Sequence, residues 1–215
     1  MSRIRVHSIA VSLDGYAAGA EQSIDAPMGV RGERLHPWVF DTAYGRAMIG
    51  QPGGTTGVDD AWLRRGDVGI GATVMGRNMF GPVRGEWPDY SWRGWWGEEP
   101  PYHHPVFVLT HHARPPLEMT GTTFHFVTDG LESALAQASE AAEGRDVRIG
   151  GGASTIAAAL RGRLVDEVHL AIVPTVLGDG ESPYADAGAW PEGYTCVERE
   201  VGEGPLHVRF ERAAT

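Results

Sequence analysis

The segment VRIGGGASTIAAAL, residues 147–160, constrains the fold more than any other part of the chain. It predicts a short strand over 147–149 and a helix over about 153–163, joined by Gly150, Gly151 and Gly152. Glycine lets the backbone approach a ligand and adopt positive φ, and a helix start offers unpaired N–H groups to an anion. The segment therefore indicates an α/β domain with a candidate phosphate site. A plain turn with Ser154 as the N-cap explains the pattern equally well.

The rest of the chain alternates between the two kinds of periodicity. Apolar and β-branched runs predict strands at 4–13, 68–75, 106–110, 124–128 and 165–174. Helical spacing predicts helices at 33–49, 58–65 and 131–143, and Asp129 is the expected cap of the last one. Two final strands, 194–200 and 206–212, predict an antiparallel hairpin. We expect one domain over residues 1–215, with a largely parallel sheet and helices on both faces.

Charge and composition exclude several classes of function. The 215 residues include 18 Lys plus Arg against 28 Asp plus Glu, a net charge of -10 that repels a nucleic-acid backbone. Cys196 is the only cysteine, which excludes an intramolecular disulfide. The apolar stretch near the N-terminus is too short for a signal peptide or a membrane span. We therefore expect a cytoplasmic protein that binds neither nucleic acid nor membrane.

The two adjacent histidine pairs, His103–His104 and His111–His112, do not predict a metal site. Neighbouring residues on a strand point to opposite faces, so neither pair closes easily on one ion, and no HExxH spacing is present. We predict no bound metal.

A second strand-to-glycine transition occurs in VMGRNMF, residues 74–80. A buried strand ends at Gly76, and the guanidinium of Arg77 would grip a phosphate through two parallel hydrogen bonds. A surface arginine after a turn is the alternative. Together, the two glycine-lined strand ends would let an acidic protein hold a dinucleotide.

Five motifs occur in a characteristic order. They are SLDGY at 12–16, VMGR at 74–77, PVFVLT at 105–110, RIGGGA at 148–153 and PTVLGDG at 174–180. In this order they resemble the dihydrofolate reductase superfamily, in particular the branch similar to the C-terminal reductase domain of the bifunctional riboflavin-biosynthesis deaminase-reductase. The resemblance implies a three-layer fold with a mixed eight-stranded sheet, and NADPH lying across the carboxyl ends of the strands. Residues 20–60 and 81–104 match weakly.

The resemblance also implies which residues would bind NADPH. Ala10 and Ala17 would offer backbone groups to the nicotinamide. The diphosphate and 2′-phosphate would contact Gly76, Arg77, Asn78, Gly150, Gly151, Gly152, Ala153, Ser154 and Thr155. Thr110 and His111 would border the adenosine, with Arg114 as a second candidate for the 2′-phosphate.

Reduction also needs a proton donor, and the predicted helix 33–49 carries two carboxylates, Glu33 and Asp41. Asp41 follows Trp38 by three residues, so both lie on one helical face. Burial beside an indole would favour the protonated carboxyl and make Asp41 the candidate catalytic residue. An ordinary solvated helix aspartate is the alternative.

A Pro- and Trp-rich segment, residues 81–105, contains Trp87, Trp92, Trp95 and Trp96. Such rings stack on planar heterocycles, so Trp87 and Trp38 are candidate substrate-binding residues. The same rings would also serve to anchor the loop to the core, or to form a dimer patch. A homodimer is common in the resembling branch and is expected here.

These observations predict an NADPH-dependent reductase that transfers hydride to a small planar heterocycle such as a pterin or a pyrimidine. No H-x-E…P-C-x-x-C element is present, so the chain lacks the deaminase half of the bifunctional enzyme. Two alternatives remain open: a non-catalytic NADP-binding protein, and a homodimeric interaction protein that uses the Trp-rich segment.

Overall fold

A computed structural model describes residues 2–81, 85–185, 187–188 and 190–213. Its strands are β1 (Ile4–Ser12), β2 (Ala18–Gly19), β3 (Ile70–Gly76), β4 (Val106–Leu109), β5 (Leu117–Met119), β6 (Thr122–Val127), β7 (Asp146–Ile149), β8 (Glu167–Val173), β9 (Gly180–Glu181), β10 (Tyr194–Val201) and β11 (Leu206–Arg212). Its helices are α1 (Pro37–Asp41), α2 (Ala43–Met48), α3 (Val58–Asp67), α4 (Arg77–Phe80), α5 (Leu131–Ala141) and α6 (Ala153–Arg161).

The described strands form a mostly parallel sheet in the order β10-β11-β8-β1-β7-β3-β4-β6-β5, and β2 pairs separately with β9. Strands β8, β1, β7, β3, β4 and β6 run parallel, whereas the β10–β11, β11–β8 and β5–β6 pairs are antiparallel. The parallel sheet and the C-terminal hairpin are confirmed. The expected eight strands become nine because the short β5 turns back at Gly121, where φ is +69°, and adds an antiparallel edge.

The sheet is covered on both faces, because successive side chains of a strand point in opposite directions. Helices α5 and α6 pack on one face, over the buried Val74 and Ile149. Helices α1 and α3 cover the other face, where Trp38 and Leu63 contact Ala171. Among the residues that the structure describes, no helix has the length and hydropathy needed to cross a membrane.

The predicted continuous helix 33–49 is wrong. The structure has a short 3₁₀ turn, Gly32–Leu35, followed by α1 and α2. Thr42 breaks the helix: its backbone is extended at φ −81° and ψ 156°, and its Oγ1 accepts a hydrogen bond from the N–H of Gly45 at 2.9 Å. A threonine side chain that can cap the next turn competes with helix continuation.

The predicted cap of α5 is also wrong. Gly130, not Asp129, occupies the N-cap position with φ +90°, and no side chain caps the helix. The carboxylate of Asp129 accepts a hydrogen bond from the adjacent Thr128 instead.

Thr42 and Asp129 give a paired stability test, because Thr42 caps a helix and Asp129 does not. Thr42→Ala removes a cap and is expected to lower the free energy of unfolding by about 1 kcal/mol. Asp129→Ala removes no cap and is expected to change it by less than about 0.5 kcal/mol. Urea denaturation of both variants measures the difference, and equal losses would contradict the capping assignment.

Candidate functional site

A cavity of about 900 Å³ lies at the carboxyl edge of the parallel strands, and we call it the first cavity. Residues at the ends of β3, β4 and β6 line it, together with the start of α6 and the segment around β9. Ligands of open α/β sheets bind at this edge, because strand ends and helix N-termini meet there.

The two predicted glycine turns meet at this cavity. The N–H of Gly76 donates to the carbonyl of Gly151 at 2.8 Å, which joins the ends of β3 and β7. A Cβ on Gly76 would lie 2.6 Å from Thr155 Oγ1, so any larger residue would push into α6. A Cβ on Gly152 would have no atom within 4 Å, and Gly152 lines the cavity. Open space therefore lies directly beside the start of α6.

The start of α6 suits an anion. Gly152 is the N-cap and provides no side-chain cap, so the first N–H groups of this helix have no partner within it. The alternative in which Ser154 is the N-cap is wrong, because Ser154 lies inside the helix and is exposed. The N–H groups and the helix dipole make this end of the cavity attractive to negative charge.

Arg77, the first residue of α4, directly follows Gly76 and lines the same cavity. Its guanidinium carbon lies 3.7 Å from the ring centroid of Trp87, and its Nη1 donates to the carbonyl of Gly85. Its Nε and Nη2 are buried and have no hydrogen-bond partner among the described residues. Buried N–H donors without an acceptor are costly, so these two nitrogens would gain from a ligand oxygen.

The structure brings most of the residues predicted to bind cofactor to this cavity. Those that line it are Gly76, Arg77, Asn78, Thr110, His111, Gly152, Ala153, Ser154 and Thr155. Those that do not line it are Ala10, Ala17, Gly150, Gly151 and Arg114. Sequence reasoning missed further lining residues, namely His112, Thr128, Gly130, Leu131, Arg161, Glu181 and Ser182.

Arg114 has a structural role in this fold. It is 8% exposed, and its Nη2 donates to the carbonyls of Tyr90 and Trp92 at 2.9 and 2.7 Å. Ala10 is buried in the core, and the N–H of Ala17 donates to the carbonyl of Glu181 at 2.9 Å. The contact of Ala10 and Ala17 with the nicotinamide stays a prediction, and the hydrogen bonds of Arg114 tie it to the Trp-rich segment.

Three of the four tryptophans in the Trp-rich segment pack inward, whereas Trp95 is 36% exposed and contacts Trp92 edge-on. Trp87 contacts Phe80 and Phe126 edge-on and donates from Nε1 to the carbonyl of His112 at 2.9 Å. Trp92 and Trp96 lie against the same core cluster. Residues 82–84, which the predicted loop includes, lie outside the described residues. The packing favours the anchoring interpretation of these rings, and Trp87 supports Arg77 instead of lining the cavity.

A second cavity, of about 520 Å³, lies at the carboxyl end of β8 and is lined by both Trp38 and Asp41. The side chain of Asp41 is exposed, so the expected burial beside the indole is absent. Another carboxylate in the lining, Asp59 at the start of α3, is only 2% exposed. Sequence reasoning missed Asp59.

The two cavities flank the end of a single strand. The second cavity lies at β8 and the first begins at the β7–α6 turn, and β1 runs between these two strands. Neighbouring strands are about 4.8 Å apart, so only about 10 Å of sheet edge separates β8 from β7.

A family model for the RibD C-terminal domain matches residues 6–198. The chain belongs to the RibD C-terminal domain family. No curated protein matches it at a significant level. Membership of this family supports a reductase-type function, and therefore an oxidoreductase.

Solved structures share the fold at low sequence identity. A protein assigned to riboflavin biosynthesis from Shewanella sp. PV-4 is 22% identical, with a TM-score of 0.61 over 100% of both chains. A pyrimidine reductase-like protein from Corynebacterium diphtheriae is 14% identical, with a TM-score of 0.57 over 100% of this chain and 93% of that one. Dihydrofolate reductase from Enterococcus faecalis, solved with NADP(H), is 13% identical, with a TM-score of 0.53 over 99% and 97%. The predicted dihydrofolate-reductase-like fold is confirmed.

Proposed function

We propose that this RibD C-terminal domain protein is an NADPH-dependent reductase, which binds the cofactor in the first cavity and a small planar heterocycle in the second. The observation that carries the proposal is the placement of the first cavity, which contains the N-terminus of α6, and a separate Trp-lined cavity on the two sides of β1. When bound, NADPH would supply a hydride from its nicotinamide.

The residues of the first cavity fit a diphosphate. The N–H groups at the start of α6 would donate to one phosphate, and the unused Nε and Nη2 of Arg77 would donate to another acceptor. None of the 18 cationic side chains in this chain is a lysine, so anion recognition relies on arginine and on backbone groups. The space left by the missing side chain of Gly152 would admit the phosphate oxygens.

The residues of the second cavity fit a flat ring with polar edges. The indole of Trp38 offers an apolar face, and its Nε1 is buried with no hydrogen-bond partner in the described part of the chain. Asp41 and Asp59 supply carboxylates at the same cavity, where they would hold or exchange a proton. Between the cavities, the end of β1 is where the ring of the cofactor and the ring of the substrate would meet.

Cofactor binding is tested by thermal unfolding. NADPH at a hundredfold excess over its dissociation constant is expected to stabilise the protein by about 2.7 kcal/mol, which raises the melting temperature by several degrees. Arg77→Ala is expected to weaken NADPH binding about tenfold, since it removes charge-assisted hydrogen bonds. NADH in parallel measures the preference for the 2′-phosphate.

Arg199→Ala is the matched control, because Arg199 is exposed on the edge strand β10, far along the sheet from the first cavity. This variant should keep the full response to NADPH. An unchanged melting temperature of the unsubstituted protein at millimolar NADPH would overturn the proposed function.

A further inference from the structure

Three histidines from strands far apart in sequence stack inside the core beneath α3. His7 lies on β1, His169 on β8 and His207 on β11, which are neighbours in the sheet. Their exposures are 5%, 0% and 0%. We call these three residues the histidine column.

A chain of hydrogen bonds runs along the column to Asp59. His207 Nε2 lies 2.8 Å from Asp59 Oδ1, and His169 Nε2 lies 3.0 Å from His207 Nδ1. At the other end, the backbone N–H of Ser8 donates to His169 Nδ1 at 3.0 Å. His7 Nδ1 lies 3.2 Å from the same atom.

The backbone N–H of Ser8 fixes the direction of the whole chain. A backbone N–H can only donate, so His169 Nδ1 must be an acceptor, and a neutral His169 then carries its proton on Nε2. That proton points at His207 Nδ1, which leaves His207 protonated on Nε2. His207 therefore donates to Asp59, and the carboxylate is the final acceptor.

The backbone is distorted where the chain of hydrogen bonds begins. Ser8 has φ +57°, in the left-handed region, although it lies within β1. The register between β1 and β8 shifts between Val6 and Ile9, which marks a β-bulge. The bulge turns the N–H of Ser8 toward His169, and such conformations persist where the surroundings enforce them.

The surroundings leave no room for a different arrangement at the Asp59 end. A Cβ on Gly202 would lie 1.8 Å from Asp59 Oδ1 and 2.9 Å from His207 Nε2. The ring of Trp62 stacks on His169 and His207 at centroid distances of 4.2 and 5.2 Å. Arg65 covers the outer face of Trp62, 3.5 Å from its centroid. Trp62 thus holds the imidazoles of His169 and His207 by stacking, and Arg65 packs on Trp62.

Asp59 connects this buried column to the second cavity, which it lines. Its Oδ1 accepts from His207, and its Oδ2 accepts from the N–H of Gly204 at 3.0 Å. A carboxylate offers about four lone-pair positions, so these two hydrogen bonds do not use all of them. The unpartnered Nε1 of Trp38 in the same lining offers a donor.

We propose that the histidine column is a positioning device that presents Asp59 as a hydrogen-bond acceptor to the second cavity. The ligand that Asp59 would meet there is the planar heterocycle of the proposed function, through an N–H donor on the edge of that ring. This inference rests on the proposed function for the role of the second cavity as the substrate site.

The probe for this test is isocytosine, a flat ring with adjacent N–H donors and a carbonyl acceptor. The control is 1,3-dimethyluracil, which has a similar shape and no N–H donor. In ¹⁵N-labelled protein, isocytosine is expected to shift the resonances of the Trp38 indole N–H and of His207, and the control compound is not. Asp59→Asn should weaken isocytosine binding at least tenfold, and equal binding of the two compounds would overturn the acceptor role of Asp59.

The positioning role has its own readout. In the unsubstituted protein at neutral pH, ¹⁵N spectra should show the proton of His207 on Nε2. In His169→Phe, which keeps an aromatic ring against Trp62, His207 should populate both tautomers. That variant should also weaken isocytosine binding about tenfold. A His207 protonated on Nδ1, or unchanged binding in His169→Phe, would overturn the inference. Stabilisation by NADPH without binding of isocytosine would leave the cofactor part of the proposed function standing and remove only this inference.

Discussion

Lowering the pH from 7 to 5 is expected to reduce the free energy of unfolding by about 2 kcal/mol for each buried histidine that stays neutral in the folded protein. Burial, reinforced by the nearby Arg5, lowers the pKa of His7 from 6.5 to about 3. Burial and then the neighbouring His7 also lower the pKa of His169, and burial lowers that of His207 in spite of Asp59. The unfolded chain takes up these protons near pH 6.5, whereas the folded protein does not.

The sign of this effect follows from the depressed pKa values. Above pH 6.5 these histidines are neutral in the folded and in the unfolded protein, so they do not change the free energy of unfolding with pH. As the pH falls below 6.5, the unfolded chain binds protons and the free energy of unfolding decreases. For His7 the loss grows until about pH 3. The charged groups that surround the column are Arg5, Asp59, Arg65, Arg148, Glu167, Glu198, Glu200, Glu203 and Arg209.

Urea denaturation at several pH values between 7 and 5 measures the loss. His169→Phe removes one buried histidine. Between pH 7 and pH 5 the free energy of unfolding of this variant should therefore fall by about 2 kcal/mol less than that of the unsubstituted protein. His111→Ala, at an exposed position, is the matched control and should keep the original pH dependence. The same slope in His169→Phe and the unsubstituted protein would contradict the explanation.

The sequence predicted the two glycine turns at the strand ends well, because their signals are local. A strand, a glycine and a helix start are adjacent in the chain, so Gly76 and the Gly150–Gly152 turn could be recognised without knowing the tertiary fold. Thr42 and β5 show the limit of such reasoning. At Thr42 one side-chain hydrogen bond interrupts the helix, and β5 forms through a pairing of three residues with β6. Neither feature produces a periodic pattern in the sequence.

The histidine column could not be predicted in this way. His7, His169 and His207 come together only through the strand order β11-β8-β1 and through the bulge at Ser8. Their one sequence signal is a histidine inside an apolar strand, which is more often an isolated buried residue. The expected burial of Asp41 was wrong for a similar reason, because a predicted helical face does not show which carboxylate the rest of the fold buries.

Gly152→Asp is expected to abolish most NADPH binding while leaving the fold intact. Gly152 has φ −53° and ψ 170°, which any residue can adopt, and its Cβ would point into open space. Aspartate is a good N-cap, so the variant without cofactor should be as stable as the unsubstituted protein or slightly more so. Its carboxylate would face the diphosphate, and two unit charges about 5 Å apart repel by about 3 kcal/mol at an effective dielectric constant of about 20, which corresponds to binding about 100-fold weaker.

A comparison of Gly152→Asn with Gly152→Asp separates the effect of a negative charge on NADPH binding from the effect of side-chain size. Asparagine has nearly the same size and also caps α6, so it would compete for the same helix N–H groups without repelling the phosphates. We expect it to weaken NADPH binding by about tenfold, against about 100-fold for Gly152→Asp, as measured by calorimetric titration. High salt should reduce the difference in NADPH affinity between the two variants, because it screens the repulsion between the introduced carboxylate and the phosphates, which the asparagine variant lacks. If the two variants bound NADPH equally, the negative charge of the ligand would have to lie elsewhere, and the strand-end glycines would lose their proposed role.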